Sequence, residues 1–201
     1  MKNGPAGRFR LCGIMMTGNR AGLAGPLLVA AILLFAATAP GWAAKCTAEH
    51  AHYVQAGGGE FTAGFARAGK YGTAASDLFF VVRSKSHAYW FRFNVANGYG
   101  GISIEPISNP ASSRPEEGPL PLLPEGDDRP PIAFIPYTAG LRALDNPPQA
   151  GEAPPPVIVL PDLGSVLWYD AAALGSKKER ELMSRSAFRL AGCDRKARLR
   201  D

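Results

Sequence analysis

Between Leu78 and Ile107 the chain reads LFFVVRSKSHAYWFRFNVANGYGGISIEPI, and no other stretch limits the fold so tightly. Aromatic and β-branched residues dominate it, and these pack best on a pleated, half-buried surface. Two turn signals interrupt it, Ser84–His87 and Asn97-Gly98. Asn-Gly suits a two-residue hairpin turn because both central positions need positive φ. Three runs and two turns predict an antiparallel meander. Its register can be reasoned out, because a slip of one residue moves every side chain to the opposite face. With Asn97-Gly98 at the turn, Phe93 faces Ile102 and Phe91 faces Ile104, while Arg92 faces Ser103 and Trp90 faces Glu105. At the first turn, a three-residue loop sets Leu78 opposite Arg92. A four-residue loop sets Leu78, Phe80 and Val82 with Phe93, Phe91 and Tyr89, and so builds one continuous apolar face. The expected core is therefore Leu78, Phe80, Val82, Tyr89, Phe91, Phe93, Ile102 and Ile104. The opposite face, Phe79, Val81, Trp90 and Arg92, is too apolar to lie bare and calls for a cover.

Fifteen of the eighteen prolines fall between Pro106 and Pro161. Proline lacks an N–H and fixes φ, so this region builds neither a helix nor an interior strand. It is expected to be a long proline-rich insertion, about 106–161, favouring extended polyproline II conformations. Three roles compete for it: a surface loop, a cover whose leucines pack over Trp90 and Phe79, or a PxxP ligand for a partner. Short apolar runs at Ile132–Ile135, Val157–Leu160 and Val166–Tyr169 read as strands. Upstream, residues 45–56 begin as a strand or a short helix. Glu60–Arg67 reads as a strand interrupted at Gly64, with Phe61 and Phe65 on one face. Ser176 and Glu179 have capping-box spacing. A C-terminal helix is therefore expected at about 177–191, with Met183, Ala187, Leu190 and Ala191 on one face and Gly192 as its stop. The predicted fold class is mainly β (α+β): a small antiparallel sheet with the meander at about 78–107, the proline-rich insertion and that helix.

The N-terminal residues follow a different logic. Lys2, Arg8, Arg10 and Arg20 are the only charges before Lys45, and Leu27–Ala37 is continuously apolar. A basic region, an apolar run and small residues describe a secretory signal peptide. Gly41 and Ala43 are small where a signal peptidase seats its substrate, so cleavage is expected after Ala43. The domains are then 1–43, a signal peptide, and 44–201, a single exported domain that is periplasmic or secreted. An uncleaved membrane anchor is the alternative, since Ala21–Ala44 is uncharged and about the length a spanning helix needs. Lys45 before Cys46 rules out a lipoprotein, whose lipidated cysteine follows a small residue.

Charge and cysteines agree with export. The leader holds +4 of the chain's net +5, which leaves about +1 for the rest. The basic balance is thus no sign of a nucleic-acid partner, and none is expected. Residues 44–176 carry 9 basic and 13 acidic side chains, and residues 177–201 carry 9 and 4. That basic tail suits docking on the acidic body, contact with an anionic envelope surface, or a solvated face. Membrane attachment is otherwise expected only through an uncleaved leader. Cys12 lies in the leader, so Cys46 and Cys193 remain, and an isolated pair in an oxidising compartment bonds.

Chemistry is harder to find. His50-x-His52 places two imidazoles on one face of a strand, where Cys46 or His87 would complete a copper or zinc site. Glu125-Gly-Asp-Asp128 lacks the alternating oxygen ligands of a calcium loop. No Gly-x-Ser-x-Gly elbow, phosphate loop or dinucleotide fingerprint is present. No cofactor is expected. The favoured expectation is a non-enzymatic binding or accessory protein using the second face of the sheet, with Trp90, Phe79, Arg92 and Tyr89 as candidate contacts. Its partner would be an envelope protein, a peptide or a glycan. A hydrolase with an unassigned site and a metal-binding protein using His50 and His52 are the alternatives.

Overall fold

A computed structural model describes residues 46–96, 101–124, 126, 128–175 and 180–193. The expected leader and cleavage after Ala43, the expected Asn97-Gly98 turn, and Ser176 and Glu179 lie outside the described residues. The described chain forms nine strands: β1 Ala51–Gln55, β2 Thr62–Arg67, β3 Leu78–Arg83, β4 Ala88–Val95, β5 Ile102–Ile107, β6 Ile132–Ala133, β7 Ile135–Tyr137, β8 Val157–Val159 and β9 Phe188–Cys193. One α-helix, α1, spans Leu163–Tyr169. The strands form one antiparallel sheet in the order β6-β5-β4-β3-β2-β1-β9-β8-β7. Its two outermost strands, β6 and β7, are separated in sequence by Phe134 alone. The stretch 132–137 therefore serves both edges, and the sheet curls into a nearly closed barrel. Closure removes the exposed edges that open sheets must otherwise protect.

The edge-closing stretch shows how its backbone groups are satisfied. The Phe134 N–H donates to the Ile102 carbonyl on one side. The Ala133 N–H is instead accepted by the Asp162 carboxylate. Beyond β7 the chain turns back on itself, with Tyr137 bridged to Ala143 and the Leu144 N–H donating to the Pro136 carbonyl.

The meander is present as β3-β4-β5. The first hairpin has the expected four-residue loop, with Phe80 opposite Phe91, Val82 opposite Tyr89 and Arg83 opposite Ala88. The second hairpin differs. Phe93 pairs with Ile104 and Val95 with Ile102, two residues away from the Asn97-Gly98 register. The Ala96 N–H donates to the Gly101 carbonyl in the same register. A shift of two preserves parity, so every side chain keeps its expected face. All eight predicted core residues lie in the main buried cluster. Within it Phe134 meets Phe65, Phe80 and Phe93 at ring-centroid distances of 5.0–6.4 Å. Tyr53 is fully buried and its hydroxyl donates to the Pro155 carbonyl at 2.9 Å. Burial pushes that phenol well above its ordinary pKa, so it remains a donor.

Phe79, Val81 and Trp90 form a second buried cluster with Ala66, Ala68 and Ile107 on the outer face. The expected cover exists, but leucines do not supply it. Tyr71 packs against the cluster, and its hydroxyl donates to the Pro115 carbonyl. The Arg83 guanidinium lies 5.7 Å from the Trp90 ring centroid. Gly118 sits against the Tyr71 ring so closely that a β-carbon there would lie 2.5 Å from it. Residues 120–122 then run along β5, with Ile107 bridged to Pro121 and the Leu122 N–H donating to the Pro106 carbonyl. Leu122 packs beside Gly175 instead of over Trp90.

Two elements change identity relative to the sequence expectation. Val166–Tyr169 belongs to α1 and is not a strand. Leu163 and Leu167, one helical turn apart, are both fully buried and join the barrel core. Phe188–Cys193, expected at the end of a helix over 177–191, is β9. It fills the place between β1 and β8, so long-range pairing overrides the local helical pattern. The mainly β class with one short helix stands, but the helix lies upstream of its expected position.

Candidate functional site

The expected disulfide is present. Cys46 and Cys193 are joined with a Cα–Cα distance of 5.7 Å across 147 residues. This removes Cys46 from any metal site. His52 is exposed on β1, whereas His50 lies in the single 3-10 turn before that strand. The two imidazoles therefore do not share a strand face as expected. His87 stacks on Tyr89 at 4.5 Å. Among the described residues no group of three His, Cys, Asp or Glu side chains is placed to hold a metal ion.

The proposed contacts on the sheet separate as well. Trp90, Phe79 and Tyr89 are 5%, 4% and 1% exposed, so they hold the fold and present no aromatic surface. Tyr89 belongs to the core face, as the register required. Arg92 alone reaches an open surface. Its Nε and Nη2 donate to Glu105 Oε2 at 2.9 and 2.8 Å, and Asn94 Nδ2 donates to the same oxygen at 3.1 Å. These residues and Ser103 form the floor of a groove of about 570 Å³, walled by Pro121, Leu123, Pro124 and the stretch from Arg129 to Ile132. The groove adjoins an apolar hollow of about 230 Å³ beside α1, where Leu123, Val166, Tyr169 and Leu174 meet. Pro106, Leu123, Arg129, Pro130 and Ile132 line both. An Arg129–Asp170 ion pair stands at the junction.

The groove arises from how the proline-rich segment shares β5. Residues 120–122 occupy its edge near Pro106 and Ser108, and β6 occupies it at Ser103 and Ile104. The intervening chain must leave the sheet and return, and the groove opens beneath that excursion. Sequence reasoning found Arg92 through strand alternation. It missed Leu123, Pro130 and Tyr169, because their meeting depends on a loop path and a helix that no local pattern encodes.

A second polar cluster lies at the β3–β4 turn. Ser84 and Ser86 hydroxyls donate to Glu181 Oε1 at 2.8 and 2.9 Å. The Ser84 hydroxyl also accepts from the His87 backbone N–H at 3.1 Å. No imidazole lies between serine and carboxylate, and among the described residues no histidine side chain bonds to either. The arrangement lacks the base that would activate a serine. What it does is clamp the turn to the segment after α1.

No protein-family model matches the chain, and neither a curated protein nor a solved structure shows significant similarity to it.

Proposed function

We propose that this is an exported, non-enzymatic binding protein whose ligand is an extended polypeptide segment carrying an apolar anchor side chain. The carrying observation is that the two hollows share five lining residues, Pro106, Leu123, Arg129, Pro130 and Ile132. A polar floor built on Arg92, Asn94 and Glu105 lies beside an apolar hollow of about 230 Å³. An extended peptide offers the matching pair of features: backbone donors and acceptors for the floor and a side chain for the cavity. Prolines along the wall keep the groove open without a large ordering cost on binding. Export is supported by the leader composition and by the disulfide, which persists in oxidising compartments. Among the described residues no helix is long and apolar enough to cross a membrane.

The test is selection of displayed random peptides on the immobilised protein, followed by amide chemical-shift mapping of a selected peptide. Shifts are expected at Asn94, Ser103 and Ile132, and Leu123→Arg should weaken binding at least tenfold at unchanged melting temperature. Peptides that bind the Leu123→Arg protein equally well, or that map elsewhere, sink the reading.

A further inference from the structure

We propose that the surface formed by α1 and the following segment at 180–185 docks on an anionic lipid bilayer. Trp168, Tyr169 and Leu182 are large apolar side chains that are 37%, 80% and 80% exposed. The Glu181 N–H donates to the Leu167 carbonyl at 3.2 Å, which lays the segment alongside α1. The Arg180 guanidinium sits 5.7 Å from the Trp168 ring centroid. The Glu181 bonds to Ser84 and Ser86 set the turn that carries Lys85 beside this segment.

The charges there favour an anionic partner. Arg180 and Arg185 are exposed, and among the described residues neither has a carboxylate partner. Of the nearby acids, Glu60 is paired with Lys85 and cancels it, while Glu181 meets only the neutral serine hydroxyls, so two arginines stand against one uncompensated carboxylate. Aromatic rings, a leucine and arginines with long apolar stems make up the set that settles at a headgroup layer. Three side chains offer too little apolar area for the roughly 800 Å² per partner of a stable protein interface. A bilayer needs no such area, because each cation near an anionic surface contributes about fivefold in partitioning. Contact of the basic 177–201 stretch with an anionic envelope surface was one of three expectations, and this face gives it named side chains independent of the leader.

The experiment uses the full chain with Trp42→Phe, so that emission comes from buried Trp90 and exposed Trp168. Vesicles contain phosphatidylcholine with or without phosphatidylglycerol, and their acyl chains are brominated. Trp168 emission should shift to the blue and be quenched on vesicles containing phosphatidylglycerol, with little change on pure phosphatidylcholine. Tyr169→Ser with Leu182→Ser should weaken partitioning by about tenfold or more. Arg180→Ala and Arg185→Ala should each cost about fivefold at low salt and less at high salt. All four positions are exposed, and circular dichroism checks that each variant folds. Vesicle binding without Trp168 quenching would place the attachment in the leader and overturn the proposal. Equal quenching on both vesicle types, or none accompanied by a concentration-dependent dimer, would overturn it too.

Discussion

Glu49 shows how a single side chain can tie two distant parts of the barrel together. Its carboxylate is almost fully buried, accepts from the Gly151 N–H at 2.9 Å and pairs with Arg67. Burial alone would raise its pKa. The bonds from the Gly151 N–H, its own N–H and Arg67 outweigh burial and hold the pKa at about 2, against an ordinary 4.5. A depressed carboxylate pKa contributes stability above the unfolded value, and that stability is lost as pH falls through the folded value. Glu49→Gln should therefore cost about 2 kcal/mol at neutral pH, a figure lowered for the exposure of Arg67. The gap to the unaltered protein should close between about pH 4.5 and 2, as read from urea midpoints across pH. A gap that stays constant with pH would show that the charge contributes nothing. The residue scale also shows why Arg92 and Trp90, two positions apart on one strand face, have different fates. Trp90 pairs across to Ile107 beneath the cover, whereas Arg92 pairs with Glu105 beside the groove.

Among the elements, α1 depends most on its surroundings. Seven residues make too short a helix to persist alone. It persists because Leu163 and Leu167 plug the barrel and because Gly164 lets the chain after it approach closely. A β-carbon on Gly164 would stand 2.7 Å from the Met183 carbonyl oxygen. Gly164→Ala should thus destabilise the protein by about 1–3 kcal/mol although alanine is the better helix former. It should also raise amide exchange at Glu181, whose N–H donates to Leu167. An unchanged or raised melting temperature would mean that propensity outweighs the close approach. The same reasoning explains the misread elements. Val166–Tyr169 is too short an apolar run to tell strand from helix by periodicity. In Phe188–Cys193 the pairing that decides the outcome comes from β1, more than a hundred residues away.

At the scale of the whole molecule, closure and the disulfide act together. Cys46 precedes β1 and Cys193 ends β9, so the bridge fastens the strand pair that joins the N-terminal meander to the C-terminal strands. In the chain-entropy picture a loop this long contributes about 4–5 kcal/mol. Cys46→Ala combined with Cys193→Ala should lower unfolding free energy by up to that amount in urea titrations. A loss below about 1 kcal/mol would show that the barrel constrains the chain as well without the bridge. The sequence by itself determined the features that depend on neighbours along the chain. These are the meander, its two faces and the position of the first hairpin, because strand alternation has a period of two and any even slip preserves it. Composition also identified Cys46 and Cys193 as partners. Only the tertiary structure decided that 132–137 closes the barrel, that 188–193 is a strand, and that Arg92 and Tyr169 border two hollows with a shared wall. Those outcomes depend on contacts between segments far apart in the chain, where the energy of pairing and burial exceeds the few tenths of a kcal/mol per residue by which local propensity favours one conformation.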